Sequence, residues 1–270
     1  MTARSRRTRA REHVIAALVG VALFGLFVGA WKAYVVWFDV SKFVLPPPES
    51  VARATVDLLS EHRTWHHVWV TFQEIAVGFL AATVFGVLVG VAIGEVRLLD
   101  RALTPYLVAL QVLPKVAIVP LLLLWFGFGP SAKEIVAATF AFFPITAGTR
   151  AGVRAVDPGH RDLVTVLRAR PWQRLVNVEM PSALPAILTG MEIGIVLATI
   201  GAVVAEYIAG SEGLGWLAVT SLNQLQVDRL FGVIVILSLL GCLLYAVVAG
   251  ARRLLVPWHH STRFASGVTP

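Results

Sequence analysis

Six apolar segments, each long enough to cross a lipid bilayer as a helix, alternate with short polar segments along this chain. They lie at about residues 14–38, 69–93, 104–126, 133–149, 184–209 and 230–251. Hydrophobic residues make up 57% of the sequence and charged residues 14%, whereas a soluble domain carries about 25% charged residues. So much apolar surface cannot be buried in a water-soluble core. The sequence therefore predicts an all-α fold, a polytopic transmembrane bundle of about six helical spans.

The arginines indicate the side of the membrane on which each polar segment lies. If six spans leave both termini in the cytoplasm, 16 of the 23 basic residues fall in cytoplasmic segments. This agrees with the rule that short loops rich in Lys and Arg remain in the cytoplasm. The net charge of +7 is thus explained by topology and does not indicate nucleic-acid binding.

This topology divides the chain into five regions. They are a cytoplasmic tail without regular structure at 1–13, the first span at 14–38, an extracytoplasmic segment at 39–67, a five-span core at 68–251 and a cytoplasmic tail at 252–270. In the extracytoplasmic segment, the prolines of LPPPES precede a predicted short helix over Val51–Glu61. In the core, glycines spaced four residues apart predict helix faces that a neighbouring helix can approach closely. These are Gly86, Gly90 and Gly94 in the second span and Gly190 and Gly194 in the fifth.

A basic loop at about 150–183 separates the fourth span from the fifth. Its arginines are Arg150, Arg154, Arg161, Arg168, Arg170 and Arg174. Within it, residues 160–169 are predicted to form a short amphipathic helix. Leu163, Val164, Val166 and Leu167 lie toward one face, and Arg161, Asp162, Thr165 and Arg168 are left for water or a partner. Such a helix either docks a soluble partner or lies on the lipid headgroups.

Prolines inside the third span point to a pathway through the membrane. Pro114 and Pro120 interrupt this span, and a break in a span persists where it packs on protein or lines a wet cavity. Lys115 either faces that cavity or is a structural cation bound to the carbonyls that the prolines free.

Four glutamates lie in or at the ends of spans. Glu74 and Glu192 are expected to face protein or a cavity. Glu134 and Glu206 lie at the outer ends of their spans, where we expect them to be solvated. The candidates for a translocation pathway are Glu74, Pro114, Lys115, Pro120 and Glu206.

The sequence contains none of the common motifs for catalysis or nucleotide binding. It lacks the G-x-x-x-x-G-K-[ST] phosphate loop and the H-E-x-x-H, paired C-x-x-C and G-x-S-x-G motifs. We interpret the pair His66–His67 as polar residues at the membrane boundary and not as a metal site. The single cysteine, Cys242, excludes a disulfide within one chain. The sequence therefore predicts neither an enzyme nor a metal site or cofactor in this chain.

Five motifs follow one another after residue 40. They are LPPPES at 45–50, TFQEIAVGF at 71–79, PKVAIVPLLLLWFGFG at 114–129, FFPI at 142–145 and AEYIAGSEGLG at 205–215. In this order they resemble the motifs of permease subunits of bacterial ABC importers, in the nitrate/sulfonate/taurine branch. The resemblance implies the type I importer permease fold in the bacterial cytoplasmic membrane.

The basic loop also resembles the E-A-A-x3-G-x9-I-x-L-P motif of these permeases. Asp162 stands for the Glu, Leu163 and Val164 for the two Ala, Arg168 for the Gly, Val178 for the Ile and Met180 for the Leu, and Pro181 matches. Since the Gly is missing, the turn after the helix stays open at this point. The resemblance assigns ATPase coupling to Arg161, Asp162, Leu163, Val164, Leu167, Arg168, Ala169 and Pro181.

The family resemblance also implies partners and a cargo. The partners are a cytoplasmic ATP-binding cassette subunit that binds the ATP, an extracytoplasmic solute-binding protein, and a second permease copy in a homodimer or, less often, a heterodimer. The cargo is a small organic solute of the nitrate, sulfonate and taurine class. Glu74 instead resembles relatives that import a thiamine pyrimidine precursor or riboflavin, whereas Lys115 suits an anion. A stand-alone secondary carrier or channel is the alternative from another class, although no internal repeat supports it.

Overall fold

The computed structural model describes residues 3–256, and within that range the chain forms helices and no strand. The helices are α1 Ala3–Trp37, α2 Pro48–Ser60, α3 His62–Glu95, α4 Arg97–Val112, α5 Lys115–Phe126, α6 Pro130–Arg154, α7 Pro158–Val166, α8 Pro171–Arg174, α9 Met180–Ala209, α10 Leu214–Asn223 and α11 Val227–Leu255. A π-helix, Leu175–Glu179, joins α8 to α9. Residues 257–270 of the predicted C-terminal tail lie outside the described residues.

The predicted spans correspond to helices, with one exception at the third. By length and composition, α1, α3, α6, α11 and the segment Pro171–Ala209 are able to cross a membrane. The third span, predicted at 104–126, is not one helix, because α4 and α5 meet at an angle of 97°. Counted together, this bent pair gives the sixth span.

Pro114 causes the break between α4 and α5. It has no amide hydrogen to donate to the helix, and it restricts the residue before it to an extended conformation. Leu113 accordingly has φ −58° and ψ 135°, and its amide donates the last bond of α4 to Ala109 at 3.3 Å. The next helix starts afresh, with the amide of Ala117 donating to the carbonyl of Pro114 at 2.9 Å. By contrast, Pro120 lies inside α5.

The N-terminal segment differs from the prediction. Helix α1 begins at Ala3, so the expectation of a tail without regular structure at 1–13 is wrong for the described residues. Arginine and alanine are both strong helix formers, and they dominate this segment. The short helix expected over Val51–Glu61 is present as α2, which begins three residues earlier with Pro48 in its first turn.

The described residues fall into two compact units. One contains the chain up to Glu61 together with Ala218–Val235. Arg229 donates hydrogen bonds to Glu61 from both terminal guanidinium nitrogens, Nη1 at 2.9 Å and Nη2 at 2.7 Å. The Trp31 and Phe231 rings lie 6.1 Å apart between centroids. These contacts join α1, α2 and the first turns of α11.

The second unit contains His62–Leu217 and the chain from Ile236. Its core is formed by α3, α6 and α9, which pack closely because small residues line their contacts. A Cβ added at Gly90 of α3 would lie 2.6 Å from Cβ of Thr149 in α6. One added at Gly190 of α9 would lie 2.6 Å from the carbonyl oxygen of Pro144. The prediction of close packing along both glycine rows is therefore confirmed.

The two halves of the broken span are placed differently in this unit. Helix α5 joins the core through Val119, Leu122 and Leu123, which pack with buried residues of α6 and α9. In α4, by contrast, Asp100 is the one buried residue. Because the span bends at Pro114, α5 packs in the bundle although α4 is mostly exposed.

Candidate functional site

The amphipathic helix predicted in the basic loop is present as α7. Its start is defined by Asp157, whose carboxylate accepts a hydrogen bond from the amide of Gly159 at 2.7 Å, and by Pro158 in the first turn. It ends at Val166, so Leu167, Arg168 and Ala169 form the turn that follows.

The apolar row of α7 is exposed in this chain. The relative exposures of Leu163, Val166 and Leu167 are 58%, 80% and 69%. Asp162 is exposed as well, and Val164 is half-buried. Three large apolar side chains exposed next to each other indicate a contact surface, and the described residues of one chain do not cover it.

The two halves of the loop motif meet at one cavity. Leu163 and Val164 of α7 line it with Val178 and Pro181, and its volume is about 310 Å³. The structure therefore brings together the two parts of the motif, which are separated by about a dozen residues in the sequence. The cavity lies between α7 and the start of α9.

Arg168 adopts a left-handed backbone conformation, with φ +52°. Its amide donates to the carbonyl of Thr165 at 3.0 Å, and the amide of Ala169 donates to that of Val164 at 3.0 Å. This pair of bonds defines the Schellman motif, in which the left-handed residue is usually Gly. The turn after α7 therefore forms although Arg168 replaces the expected Gly.

Arg161 was predicted to be left for water or a partner, but its side chain is only 34% exposed and its guanidinium group is directed toward two carboxylates of the same chain. Its Nε lies 3.2 Å from Oε1 of Glu179, a residue that is 0% exposed, and its Nη2 lies 3.7 Å from Oε1 of Glu95. Arg174 reaches the same two carboxylates, with Nε 3.1 Å from Glu179 and Nη2 2.7 Å from Glu95. The two positive and two negative charges of this group balance.

Other arginines of the basic loop and of the end of α11 are paired too. Asp100 of α4 binds both Arg150, at 2.5 Å, and Arg154. At the end of α11, Arg252 binds Glu192 of α9 at 2.8 Å. Of the six loop arginines, Arg168 and Arg170 alone have no ion pair within residues 3–256.

Lys115 lies at the break between α4 and α5, as expected, but its contact is aromatic. Its Nζ lies 5.2 Å from the centroid of the Phe143 ring, within the distance of a cation–π interaction. Phe143 belongs to the FFPI segment of α6, so the break and this motif are neighbours. Pro114 and Pro120 are both exposed in the chain.

Glu74 and Glu206 are both buried, at 2% and 1% exposure. Nζ of the buried Lys133 lies 2.5 Å from Oε1 of Glu74. Glu206 accepts hydrogen bonds from the hydroxyl of Thr71 and from the amide of Gly215, each at 2.6 Å. The expectation that Glu206 is solvated is therefore wrong. Its side chain therefore bonds to the first turn of α10.

The G-L-G of the last motif is explained by the same carboxylate. Gly213 has φ +104°, and a Cβ there would lie 1.9 Å from Oε1 of Glu206. A Cβ at Gly215 would lie 2.6 Å from the carbonyl of Val203. The segment after α9 thus folds back over Glu206 because neither position carries a side chain.

Sequence reasoning missed the partners of these groups. Glu95 and Glu179 were not candidates, although a carboxylate at the end of a span beside a basic loop is a signal for pairing. For Lys133 and Thr71 the signal is weaker, because their partners lie on other helices. Glu192 was expected to face protein, and it binds Arg252.

Comparison with known proteins places this arrangement among transport proteins. Residues 82–259 match the family described as binding-protein-dependent transport system inner membrane component. The chain is 36% identical over 231 residues to the riboflavin transport system permease protein RibX of Chloroflexus aurantiacus, covering 86% of each. It is 30% identical over 242 residues to the putative aliphatic sulfonates transport permease protein SsuC of Bacillus subtilis, covering 90% of this chain and 88% of SsuC.

A solved structure has a similar fold. It is an inward-facing form of the MetNI methionine ABC transporter, with a TM-score of 0.64. The similarity covers 73% of this chain and 99% of that chain at 19% sequence identity, so it concerns the fold alone.

Proposed function

Because this chain belongs to the family of binding-protein-dependent transport system inner membrane components, we propose that it moves its solute only when an ATP-binding subunit acts on α7. The chain is the multi-pass permease subunit of an ABC importer and not an enzyme. A permease of this kind works with an ATP-binding subunit and a solute-binding protein. What remains to be assigned is the docking surface, the cargo, the orientation and the number of copies.

The exposed apolar row of α7 carries the docking proposal. Leu163, Val166 and Leu167 are the kind of residues that fill a groove on a partner, since the buried centre of an interface is depleted of charge. Arg168 and Arg170, which have no ion pair within residues 3–256, would lie at the rim. We propose that the ATP-binding subunit covers this row.

Charged replacements in the row test the docking. The variant Leu163→Asp/Leu167→Asp should insert into the membrane but fail to purify with the ATP-binding subunit, because two carboxylates cannot enter an apolar groove. The matched control is Thr165→Asp, which adds a charge at an exposed polar position of the same helix. Normal co-purification and ATP-driven uptake by the double variant would rule out docking at this surface.

A stand-alone carrier is the competing proposal, and reconstitution separates the two. Vesicles that contain only this chain should show no concentrative uptake, whereas vesicles with all subunits should show uptake that depends on ATP. Concentrative uptake by the chain alone would favour the carrier.

For the cargo, we propose a small organic anion such as an alkanesulfonate. Glu74 argued for a neutral or cationic ring, but its carboxylate binds Lys133 and is buried, so it does not face a solute in this structure. Lys115 carries a positive charge at the break of the third span, held against Phe143. The 36% identity to RibX keeps riboflavin as the second candidate.

The cargo is tested on the solute-binding protein that works with this permease. Its melting temperature should rise with ethanesulfonate or taurine and stay unchanged with riboflavin. Lys115→Met should then reduce uptake of that anion, and Lys115→Arg, which keeps the charge, should retain more of it. A shift with riboflavin alone would favour the ring solute.

We also propose that both termini lie in the cytoplasm and that two copies form a homodimer. The positive-inside distribution of arginines supports the orientation. Leu98, Tyr106 and Val112 of α4 are exposed in one chain, where either lipid or the second copy would cover them. Labelling of single cysteines placed in each loop, in a Cys242→Ser background, tests the orientation, and native mass spectrometry counts the copies.

A further inference from the structure

Four charged residues join α7 to the core of the bundle. We define the Glu–Arg clamp as Glu95, Arg161, Arg174 and Glu179. Glu95 is the last residue of α3, and Glu179 is the last residue of the π-helix before α9. Arg161 lies on α7, and Arg174 ends α8. The clamp therefore connects segments that are separated by up to 84 positions in the sequence.

Arg161 is the residue of the clamp that belongs to α7. Besides its contacts with Glu179 at 3.2 Å and Glu95 at 3.7 Å, its Nη2 donates a hydrogen bond to the carbonyl of Val153 at 2.8 Å. Val153 is buried near the end of α6. One side chain of α7 thus contacts the ends of α3 and α6 and the entrance to α9, the three helices that form the core.

Glu179 is fully buried, and a buried carboxylate is costly without compensating charge. Both guanidinium groups supply it, at 3.2 and 3.1 Å. Glu179 is directed there by the π-helix, in which the amide of Met180 bonds to the carbonyl of Leu175, five residues earlier. A π turn inserts one residue, so it rotates the following face by about 100° relative to an α-helix.

Arg161 and Asp162 have opposite surroundings although they are neighbours. Asp162 is exposed, and Arg161 faces the two carboxylates of the clamp. Helix α7 therefore has an outer surface, with Leu163, Val166 and Leu167, and an inner attachment through Arg161.

We propose that the Glu–Arg clamp transmits the movement of α7 to α3, α6 and α9, and that Arg161 is a positioning residue for coupling and not a contact for the ATP-binding subunit. This inference rests on the proposed docking of α7. A helix of only nine residues that is joined to its neighbours by loops moves with the core only if side-chain contacts attach it to the core. The clamp supplies such contacts to all three core helices.

The test removes the ion pairs of Arg161 and keeps the net charge of the clamp unchanged. In Arg161→Gln/Glu95→Gln, the buried Glu179 retains Arg174 at 3.1 Å, so the variant is expected to fold. The control is Arg101→Gln, which replaces an exposed arginine of α4 outside the clamp. A second variant, Arg161→Lys, keeps one positive charge but loses the forked geometry.

Hydrogen exchange is measured on the complete complex with the ATP-binding subunit and solute-binding protein, before and after trapping with ATP and vanadate. In the wild type and in Arg101→Gln, trapping should change the exchange of residues 160–169 and of the last turn of α3. In the double variant, the change in exchange at residues 160–169 should persist, and the change in the last turn of α3 should be lost. In Arg161→Lys, the change in the last turn of α3 should be smaller than in the wild type but not absent.

Three outcomes separate the possibilities. If the double variant retains the change at α3, the clamp does not transmit movement and the proposal is overturned. If the variant loses the ATP-binding subunit, Arg161 is a docking contact and the proposal is also overturned. If the wild-type chain itself does not purify with that subunit, it is the proposed function that fails.

Discussion

Arg168→Gly should stabilise the turn after α7. Arg168 has φ +52°, where Cβ crowds the backbone and costs about 1–2 kcal/mol relative to an unstrained residue. Glycine avoids this cost, but it loses about 0.5–1 kcal/mol more backbone entropy when it becomes ordered. The net gain is about 0.5–1 kcal/mol, which corresponds to an open turn populated about two- to five-fold less.

Hydrogen exchange at the amides of Arg168 and Ala169 measures this population directly, because these amides bond to Thr165 and Val164 only while the turn is closed. After correction for intrinsic rates, exchange in Arg168→Gly should be about two- to five-fold slower than in the wild type. The control is Arg168→Ala, which removes the charge but retains Cβ, and it should exchange no slower than the wild type. Equal slowing in both variants would show that the charge, and not the backbone conformation, strains the turn.

Two further predictions concern the buried carboxylates. Gly213→Ala should abolish folding, because its Cβ would overlap Glu206 at a position with φ +104°. The control Gly129→Ala should be neutral, because nothing lies within 4 Å of the new Cβ. Size-exclusion chromatography of a fluorescent fusion compares the two variants. Lys133→Met should lower stability by about 3–5 kcal/mol because it leaves Glu74 buried without its partner. Adding Glu74→Gln should restore much of the loss, and a thermal melt in detergent that shows no difference between the single and double variants would contradict the pairing.

The helices that carry local signals were predicted from sequence, and α7 is among them. Its 3.6-residue periodicity is contained within about ten residues, although the predicted range 160–169 extends three residues beyond the end of α7. The prolines also predicted an interrupted third span, and the chain breaks at Pro114 but not at Pro120. In that case the cause is equally local, because Pro114 disrupts the hydrogen bonds of its own neighbours.

Pairing between distant residues could not be predicted in the same way. Glu95 and Arg174 are 79 residues apart, and they meet only because α3, α6 and α9 pack on small residues. Glu206 was expected to be solvated because it is near the end of a span. The segment after α9 then folds back and buries it, which depends on two glycines whose role is evident only beside the carboxylate. The helix at 3–13 was missed because this segment has no pattern of apolar residues that indicates a helix.

The ion pairs change what the basic loop presents to a partner. As a sequence, the loop carries six arginines. In the structure, Asp100, Glu95 and Glu179 form ion pairs with four of them, and Arg168 and Arg170 remain exposed. Arginines whose distribution predicts the topology thus also form ion pairs inside the chain. If the ATP-binding subunit docks on α7 as proposed, docking depends mainly on the apolar row, so raising the salt concentration, which screens exposed charges, should weaken the complex only slightly.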